Sequence, residues 1–245
     1  MKAFIFAAGL GTRLKPLTDT VPKALVKVGG ATLLDTVSAK LAKAGFDSQI
    51  VNVHHHPDKM KSYLAAHHPE MIVSDESDLL RDTGGGIRHA EQLLDDADFF
   101  LAHNVDILTD ADLHRFTTLR RDGVIATLLV SDRPSSRHLY FDNDMRLKGW
   151  INEKTGETRS PFKNFDPDSC KKLAFGGIHL ISREIFPLMR DWPEAFSIID
   201  FYLSTADRYP VFGVEQKPLR VLDVGKPETL HMAEELSQSG ACFWE

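Results

Sequence analysis

Near the start of the chain the string Ala7-Ala8-Gly9-Leu10-Gly11-Thr12-Arg13-Leu14, followed by Pro16-Leu17-Thr18 and Pro22-Lys23, gathers glycines, hydroxyls and cations into one short stretch. It stands directly behind an apolar run, Ala3-Phe4-Ile5-Phe6, that reads as a buried strand. Glycines let a backbone turn sharply and bring N–H groups close to an anion, and Arg13 and Lys23 add positive charge to the same place. Ala8, Gly9, Gly11, Thr12, Arg13 and Lys23 thus make a loop suited to the phosphates of a nucleoside triphosphate. Two common glycine loops match it poorly. A dinucleotide fingerprint requires a third glycine where Leu14 stands, and a P-loop requires Gly-Lys-Ser/Thr where the chain has Gly11-Thr12-Arg13.

Carboxylates that could partner such phosphates follow strand-like runs. The run Asp98-His103 leads into Asn104-Val105-Asp106, and ligands of open parallel sheets sit beyond the carboxyl ends of the strands, so Asp106 stands where a metal would meet phosphate. In Val221-Leu222-Asp223-Val224-Gly225 a second carboxylate ends a strand before a glycine turn and a helix begun by Pro227. Two carboxylates from separate strand ends suit Mg²⁺, which takes one or two of them together with phosphates and waters. Asp82-Thr83-Gly84-Gly85-Gly86-Ile87 opens a further helix; Gly84 and Gly85 would let a flat base lie against the backbone while the Thr83 hydroxyl or an amide reads its edge. The triplet His54-His55-His56 is expected to be a strand end, because adjacent residues of an extended chain point to opposite faces and do not converge on one ion. His103 is expected in the core, and no Ser/His/Asp or Cys/His nucleophile set stands out.

In order and spacing, the first string resembles the G-x-G-T-R-(x)-x-P-L-T…P-K signature of the sugar-1-phosphate nucleotidyltransferases. Similar enzymes carry Gly-Asp at the position of Val105-Asp106, with the aspartate on magnesium, and Val221 to Lys226 looks like their closing W-x-D-V-G-T segment. The resemblance implies catalytic roles for Arg13 and Lys23 and Mg²⁺ on Asp106 and Asp223. It also implies nucleotide contacts from Ala8 to Lys23 and from Thr83, Gly84 and Gly85. Sugar contacts are implied for Asn104, for Glu153-Lys154, which resembles an E-K pair, and for Gly176 and Gly177 of Phe175-Gly176-Gly177-Ile178, a small-residue strand leaving room for a pyranose. The triple-glycine string is most similar to the branch that joins UTP to N-acetylmuramic acid 1-phosphate in cell-wall recycling. The expected partners are therefore an NTP, UTP first, and a sugar 1-phosphate; guanylyl or thymidylyl transfer to a hexose or heptose 1-phosphate, a glycosyltransferase and a non-catalytic nucleotide-sugar binder are the other readings.

These residues need a scaffold that delivers loops from strand ends, and the chain has the pattern for one. At 245 residues, 42% apolar and 26% charged, it has the composition of an ordinary globular protein with an ample core. Strands are expected at Lys2-Ala8, Gln49-His54, Met71-Ser74, Asp98-His103 and Ile125-Val130. Helices are expected from Thr32 toward Gly45, Pro57 to His68, Gly84 to Leu94 and Ala111 to Arg121. A hairpin turning at Asp142-Asn143-Asp144, a mobile loop from Lys154 to Lys172, a strand Leu173-Ile181 and helices at Arg183-Arg190, Ser197-Asp207 and Pro227-Ser237 complete the reading. The expected fold is a Rossmann-like three-layer α/β/α domain with a mostly parallel central sheet, of the glycosyltransferase-A-like nucleotidyltransferase type. Residues 1–131 would bind the nucleotide and residues 132–245 the sugar, within a single domain spanning 1–245. A formal charge of −6 argues against a nucleic-acid partner. With no apolar run of membrane-span length and an N-terminal apolar stretch too short for a signal peptide, the expected location is the cytoplasm with no membrane partner, and Cys170 and Cys242 read as reduced thiols. Nothing in the pattern commits the chain to an oligomeric state.

Overall fold

The computed structural model describes residues 1–244. In chain order the elements that matter here are β1 (Lys2–Phe6), α1 (Leu33–Lys43), β2 (Ser48–Val53), α2 (Pro57–His67), β3 (Ile72–Asp75), α3 (Asp82–His89), β4 (Phe99–Asn104), β5 (Ile107–Thr109) and α4 (Leu113–Thr118). They are followed by β6 (Ala126–Ser131), β7 (Arg137–Phe141), β8 (Leu147–Asn152), β9 (Thr158–Arg159), β10 (Lys171–Ser182), α5 (Ile198–Thr205), β11 (Val211–Glu215), β12 (Val221–Asp223) and α6 (Pro227–Gln238).

The central sheet runs β9-β8-β7-β10-β4-β1-β2-β3, with β6 pairing β10 and β11 pairing β6. β1 lies between β2 and β4 in parallel, β3 continues that order beside β2, and β11 is parallel to β6. β10 runs antiparallel to β4, β6 and β7 and so joins the hairpin half of the chain to the parallel half in one sheet. Within β1 the side chains alternate between two cores. Ala3 and Ile5 pack in the cluster with α1, α2 and α6, and Phe4 packs in the cluster with α3 and α5, all of them 0% exposed. A strand buried on both faces reads as a continuous apolar run, which is why Ala3 to Phe6 carries no polar alternation. The result is the expected α/β/α sandwich.

Local chemistry sets the boundaries. Thr32 accepts the Asp35 N–H at 3.0 Å and Asp35 accepts the Thr32 N–H at 3.1 Å, a reciprocal cap at the start of α1. The expected helix from Gly84 to Leu94 is broken at Ala90 into α3 and a single turn, Glu91–Leu94. The Asp142-Asn143-Asp144 turn joins β7 to β8 as expected.

The segment from Lys154 to Lys172 corrects the expectation of a mobile loop, since it is strapped to the sheet. The Phe165 ring fills the space where a Gly149 side chain would be and meets Tyr140 edge-on, Lys148 lies over the Phe162 ring, and Arg159 pairs with Asp200 of α5 at 2.5 Å. Its Gly, Pro, Asp and Ser content hides two aromatic anchors. β11, absent from the sequence reading, is short and has Gly213 at its centre, where a Cβ would lie 2.8 Å from the Phe141 ring.

Candidate active site

The loop after β1 and the ends of β2 and β4 enclose a cavity of about 530 Å³ at the carboxyl edge of the parallel strands. Ala7, Ala8, Gly9, Lys23, Asn52, Asp82, Thr83, Asn104, Val105 and Asp106 line it. The chain turns away from β1 because the side-chain oxygen of Asn52 accepts the N–H groups of Ala7 and Ala8 at 2.7 and 3.1 Å. Beyond that point the N–H groups of Gly9, Leu10 and Gly11 have no acceptor among the described residues, and a Cβ at Gly9 would meet nothing within 4 Å. Gly11 has φ +64, and a Cβ there would lie 2.7 Å from Thr18, whose hydroxyl donates to the Gly11 carbonyl at 2.8 Å. The loop therefore offers an open edge of N–H donors, as an anion site requires.

Four charged residues meet at one end of this cavity. Lys23 is ion-paired and hydrogen-bonded to Asp106, both of them largely buried, and an Arg13 guanidinium nitrogen stands 3.9 Å from an Asp223 oxygen. β12 pairs antiparallel with β5, aligning Asp223 with Ile107, the residue after Asp106. A Cβ on Gly225 would lie 2.6 Å from Arg13 Nη2, 2.8 Å from Asp223 Oδ1 and 3.0 Å from Asp106 Oδ2. The two carboxylates and the guanidinium therefore converge on a spot that only a glycine leaves open. Two convergent carboxylates fit Mg²⁺ completed by phosphates and waters; among the described residues no group of three or more His, Cys, Asp or Glu side chains comes together as a metal site. Val105, where similar enzymes carry a glycine, is 3% exposed, belongs to the core and donates its N–H to the Phe6 carbonyl at 3.2 Å.

Gly84 and Gly85, expected beside the base, are packed against protein. Both are buried, both N–H groups donate to the Phe196 carbonyl, at 2.8 and 3.3 Å, and side chains there would run into the Phe196 ring and the Glu194 carbonyl. Asp82 and Thr83 are the residues of this segment that reach the cavity. Thr83 accepts the Ile198 N–H at 2.9 Å and keeps its own proton for donation. Asp82 holds φ +56 and accepts the Thr83 N–H at 2.6 Å, a left-handed position that Asp tolerates better than most residues.

The residues expected around the sugar separate in space. Asn104 lines the cavity, and the room beside Gly176 and Gly177 is occupied by protein: a Cβ at Gly176 would lie 3.0 Å from the Leu129 carbonyl, and one at Gly177 3.1 Å from Asn104. Glu153 turns to Lys172, His138 and Tyr140 at 2.8, 3.1 and 3.3 Å; the Lys172 ammonium foremost holds its carboxyl below the usual range. Lys154 is exposed in the turn that joins β8 to β9. A second cavity of about 540 Å³ adjoins the first through Asp82 and Thr83, and its walls come from β7, β8, β9 and α5.

Residues 2–138 match the nucleotidyl transferase family. The chain belongs to that family. Along 95% of its length it is 32% identical to the N-acetylmuramate alpha-1-phosphate uridylyltransferase of Caulobacter vibrioides, of which it covers 95%. It is 34% identical over 143 residues to the mannose-1-phosphate guanyltransferase of Emericella nidulans, a match that takes in 55% of this chain and 39% of the longer protein. Its fold is shared with the inositol-1-phosphate CTP transferase from T. maritima, with a TM-score of 0.77 at 17% identity and 97% and 95% of the two chains covered.

The buried pair that holds the loop after β1 carries no signal in a single sequence. Asn52 sits inside an apolar strand, and its partner Glu76 is fully buried, donating nothing and accepting the Asn52 amide at 2.8 Å; burial foremost pushes the Glu76 carboxyl up. Gly86 is required there, since a Cβ would lie 2.9 Å from Glu76 Oε1. The Asn52–Glu76 pair thus ties the loop after β1 to the start of α3. The three histidines at 54–56 hold loops: His54 contacts the Glu76 carbonyl at 2.6 Å, His55 the Thr18 carbonyl at 3.1 Å, and His56 precedes α2 with φ 50.

Proposed function

We propose that this chain transfers a uridylyl group from UTP to a sugar 1-phosphate, N-acetylmuramic acid 1-phosphate first, releasing pyrophosphate. The convergence of Asp106, Asp223, Arg13 and Lys23 beside an open edge of backbone donors is the observation that carries the reading. The likeness to the Caulobacter vibrioides uridylyltransferase supports UTP and the muramate acceptor. The guanyltransferase relative supports GTP as the competing nucleotide.

In this reading the nucleotide occupies the first cavity, with its phosphates on Gly9 to Arg13 and its base toward Thr83. A sugar 1-phosphate has its second pKa at about 6, as phosphate monoesters do, so its oxygen is already a nucleophile at neutral pH. That oxygen forms a bond to the α-phosphorus while the bond to the β-phosphate oxygen breaks, and pyrophosphate leaves with the electron pair. No general base is needed. Arg13, Lys23 and the loop N–H groups hold the triphosphate and offset the charge that gathers during transfer. Mg²⁺, held by Asp106 and Asp223, would neutralise phosphate charge at the same point. Lys23, ion-paired to Asp106, has further N–H donors for phosphate.

Residues 1–131 then serve the nucleotide and residues 132–245 the sugar within one cytoplasmic unit. Pyrophosphate release from purified protein, measured with four NTPs against a panel of sugar 1-phosphates, tests the assignment. Absence of pyrophosphate with every pair would overturn it, and a higher kcat/KM with GTP would replace the uridylyl assignment with a guanylyl one.

A further inference from the structure

The second cavity is built from one face of the β7–β8 hairpin. Arg137 pairs in register with Asn152, and Leu139 with Trp150, and all four line the cavity, together with Phe175. His138, between Arg137 and Leu139, turns to the opposite face and meets Glu153. The alternation of side chains along a strand fixes this sorting.

Charges in the cavity are unequally matched. Arg159 is committed to both Glu157 and Asp200, at 2.6 and 2.5 Å, and lies over the Trp150 ring. Those ties close the outer wall. Arg137 lines the same cavity, yet no carboxylate among the described residues lies within ion-pairing distance of its guanidinium. Its backbone is fixed by Ser135, whose hydroxyl accepts the Arg137 N–H at 3.1 Å and donates to the Arg137 carbonyl at 2.8 Å. An arginine held by its backbone on a cavity wall, with its planar fork unengaged, is arranged to accept a planar anion.

We propose that Arg137 recognises a carboxylate carried by the sugar of the acceptor, so that the second cavity selects sugar 1-phosphates bearing an acidic substituent. The inference rests on the reading of the chain as a sugar-1-phosphate nucleotidyltransferase. The acceptor's own phosphate has to reach the Asp106 and Asp223 end of the first cavity, so an anion met by Arg137 belongs to another part of the same molecule. Trp150, Leu139 and Phe175 offer apolar faces to the ring carbons, and Asn152 and Ser135 offer hydrogen bonds.

The test compares N-acetylmuramic acid 1-phosphate with N-acetylglucosamine 1-phosphate, the same ring without the lactyl carboxylate, by pyrophosphate release in the wild type, Arg137→Ala and Arg137→Lys. Wild type is expected to favour the acidic acceptor in kcat/KM. Arg137→Ala should collapse that preference by about 10- to 100-fold, as expected for loss of a hydrogen-bonded charged partner, and Arg137→Lys, which keeps charge but loses the fork, should fall between. Circular dichroism checks that the exposed substitution leaves the fold intact. A wild type that prefers the uncharged acceptor, or an Arg137→Ala variant that keeps the wild-type preference or loses both acceptors in equal proportion, overturns the inference. No turnover of either acceptor with any NTP would instead overturn the transferase reading.

Discussion

Asp106 and Asp223 are fastened to each other through the backbone: the N–H of Val224 donates to the Asp106 carbonyl at 2.9 Å, and the Gly225 N–H returns to the Asp223 carboxylate at 2.9 Å. The pairing of β12 with β5 sets this register, so two residues far apart in sequence present their carboxylates to one point. If they hold a single Mg²⁺, Asp106→Asn and Asp223→Asn should each lower kcat by about 10²-fold or more and raise the Mg²⁺ concentration needed for half-maximal rate. The double variant should lose little more than either single one, since residues acting as a unit are non-additive. Additive losses with unchanged metal dependence would reject the shared site.

Gly225→Ala probes the same convergence without removing a charge. The added methyl would lie within contact of Arg13, Asp223 and Asp106, and the backbone at Gly225 is not left-handed. Turnover should fall by about tenfold or more through displacement of the carboxylates, since small misplacements at a reacting centre are costly. The midpoint of urea unfolding should move little. A full-rate Gly225→Ala enzyme would show that the three groups need not stay so close.

Lys23 is placed to do two things, and its removal should separate them. It is the counter-charge of Asp106 in this structure and lies on the wall of the first cavity. Lys23→Ala should cut turnover about 10²-fold through loss of a phosphate partner, while leaving Asp106 without a cation and so tightening Mg²⁺ binding to the free protein. Isothermal titration with Mg²⁺ alone and steady-state kinetics read the two effects. Near-normal turnover with a native circular dichroism spectrum would remove Lys23 from the phosphate role.

Much of this arrangement was legible in the sequence because strand ends and glycine loops are local signals. The run Ala3 to Phe6, the loop to Lys23, Asp106 after its strand and Asp223 before Gly225 could each be read from neighbours; the parallel strands deliver the first three to one edge, and the antiparallel pairing of β12 with β5 brings Asp223 beside Asp106. What escaped depended on distant partners. Gly84 and Gly85 look like a ligand cradle in one dimension, and only the fold brings Phe196 and Glu194 against them. Glu153-Lys154 matched a motif, yet the strand alternation turns Glu153 to His138 and leaves Asn152 and Trp150 facing the cavity. Phe162 and Phe165 pin a segment whose composition reads as loose, and Asn52 and Glu76 form a buried pair that no spacing rule announces.

Two buried histidines predict how stability responds to acid. Burial holds His103 at about 4 and His179 at about 3, and the Nε2 atom of each has no partner among the described residues. Both stay neutral in the folded protein, whereas the unfolded chain takes up a proton on each near pH 6.5. The stability they contribute is fully present above about pH 6.5 and is lost as pH falls toward 4, at about 1.4 kcal/mol per pH unit for each group. Urea unfolding measured across that interval should show the decline, and His103→Gln should flatten it by about one proton's worth. An identical slope in variant and wild type would mean that His103 does not carry it.

The packing role of the triple glycine makes a prediction opposite in kind to a base-reading role. Gly84 is seated against the Phe196 ring, which itself packs with Trp192 and Phe201, so Gly84→Ala forces a methyl into an occupied space and should destabilise the protein by about 1–3 kcal/mol. Phe196→Ala should cost about 3–5 kcal/mol by emptying the same space. Because the added methyl partly fills what the lost ring vacates, the double variant should be more stable than the sum of the two losses, with a coupling of about 0.5–3 kcal/mol. Chemical denaturation of the two single variants and the double variant reads this directly. Strict additivity, with NTP binding weakened in Gly84→Ala at unchanged stability, would return Gly84 to the nucleotide and take it from the core.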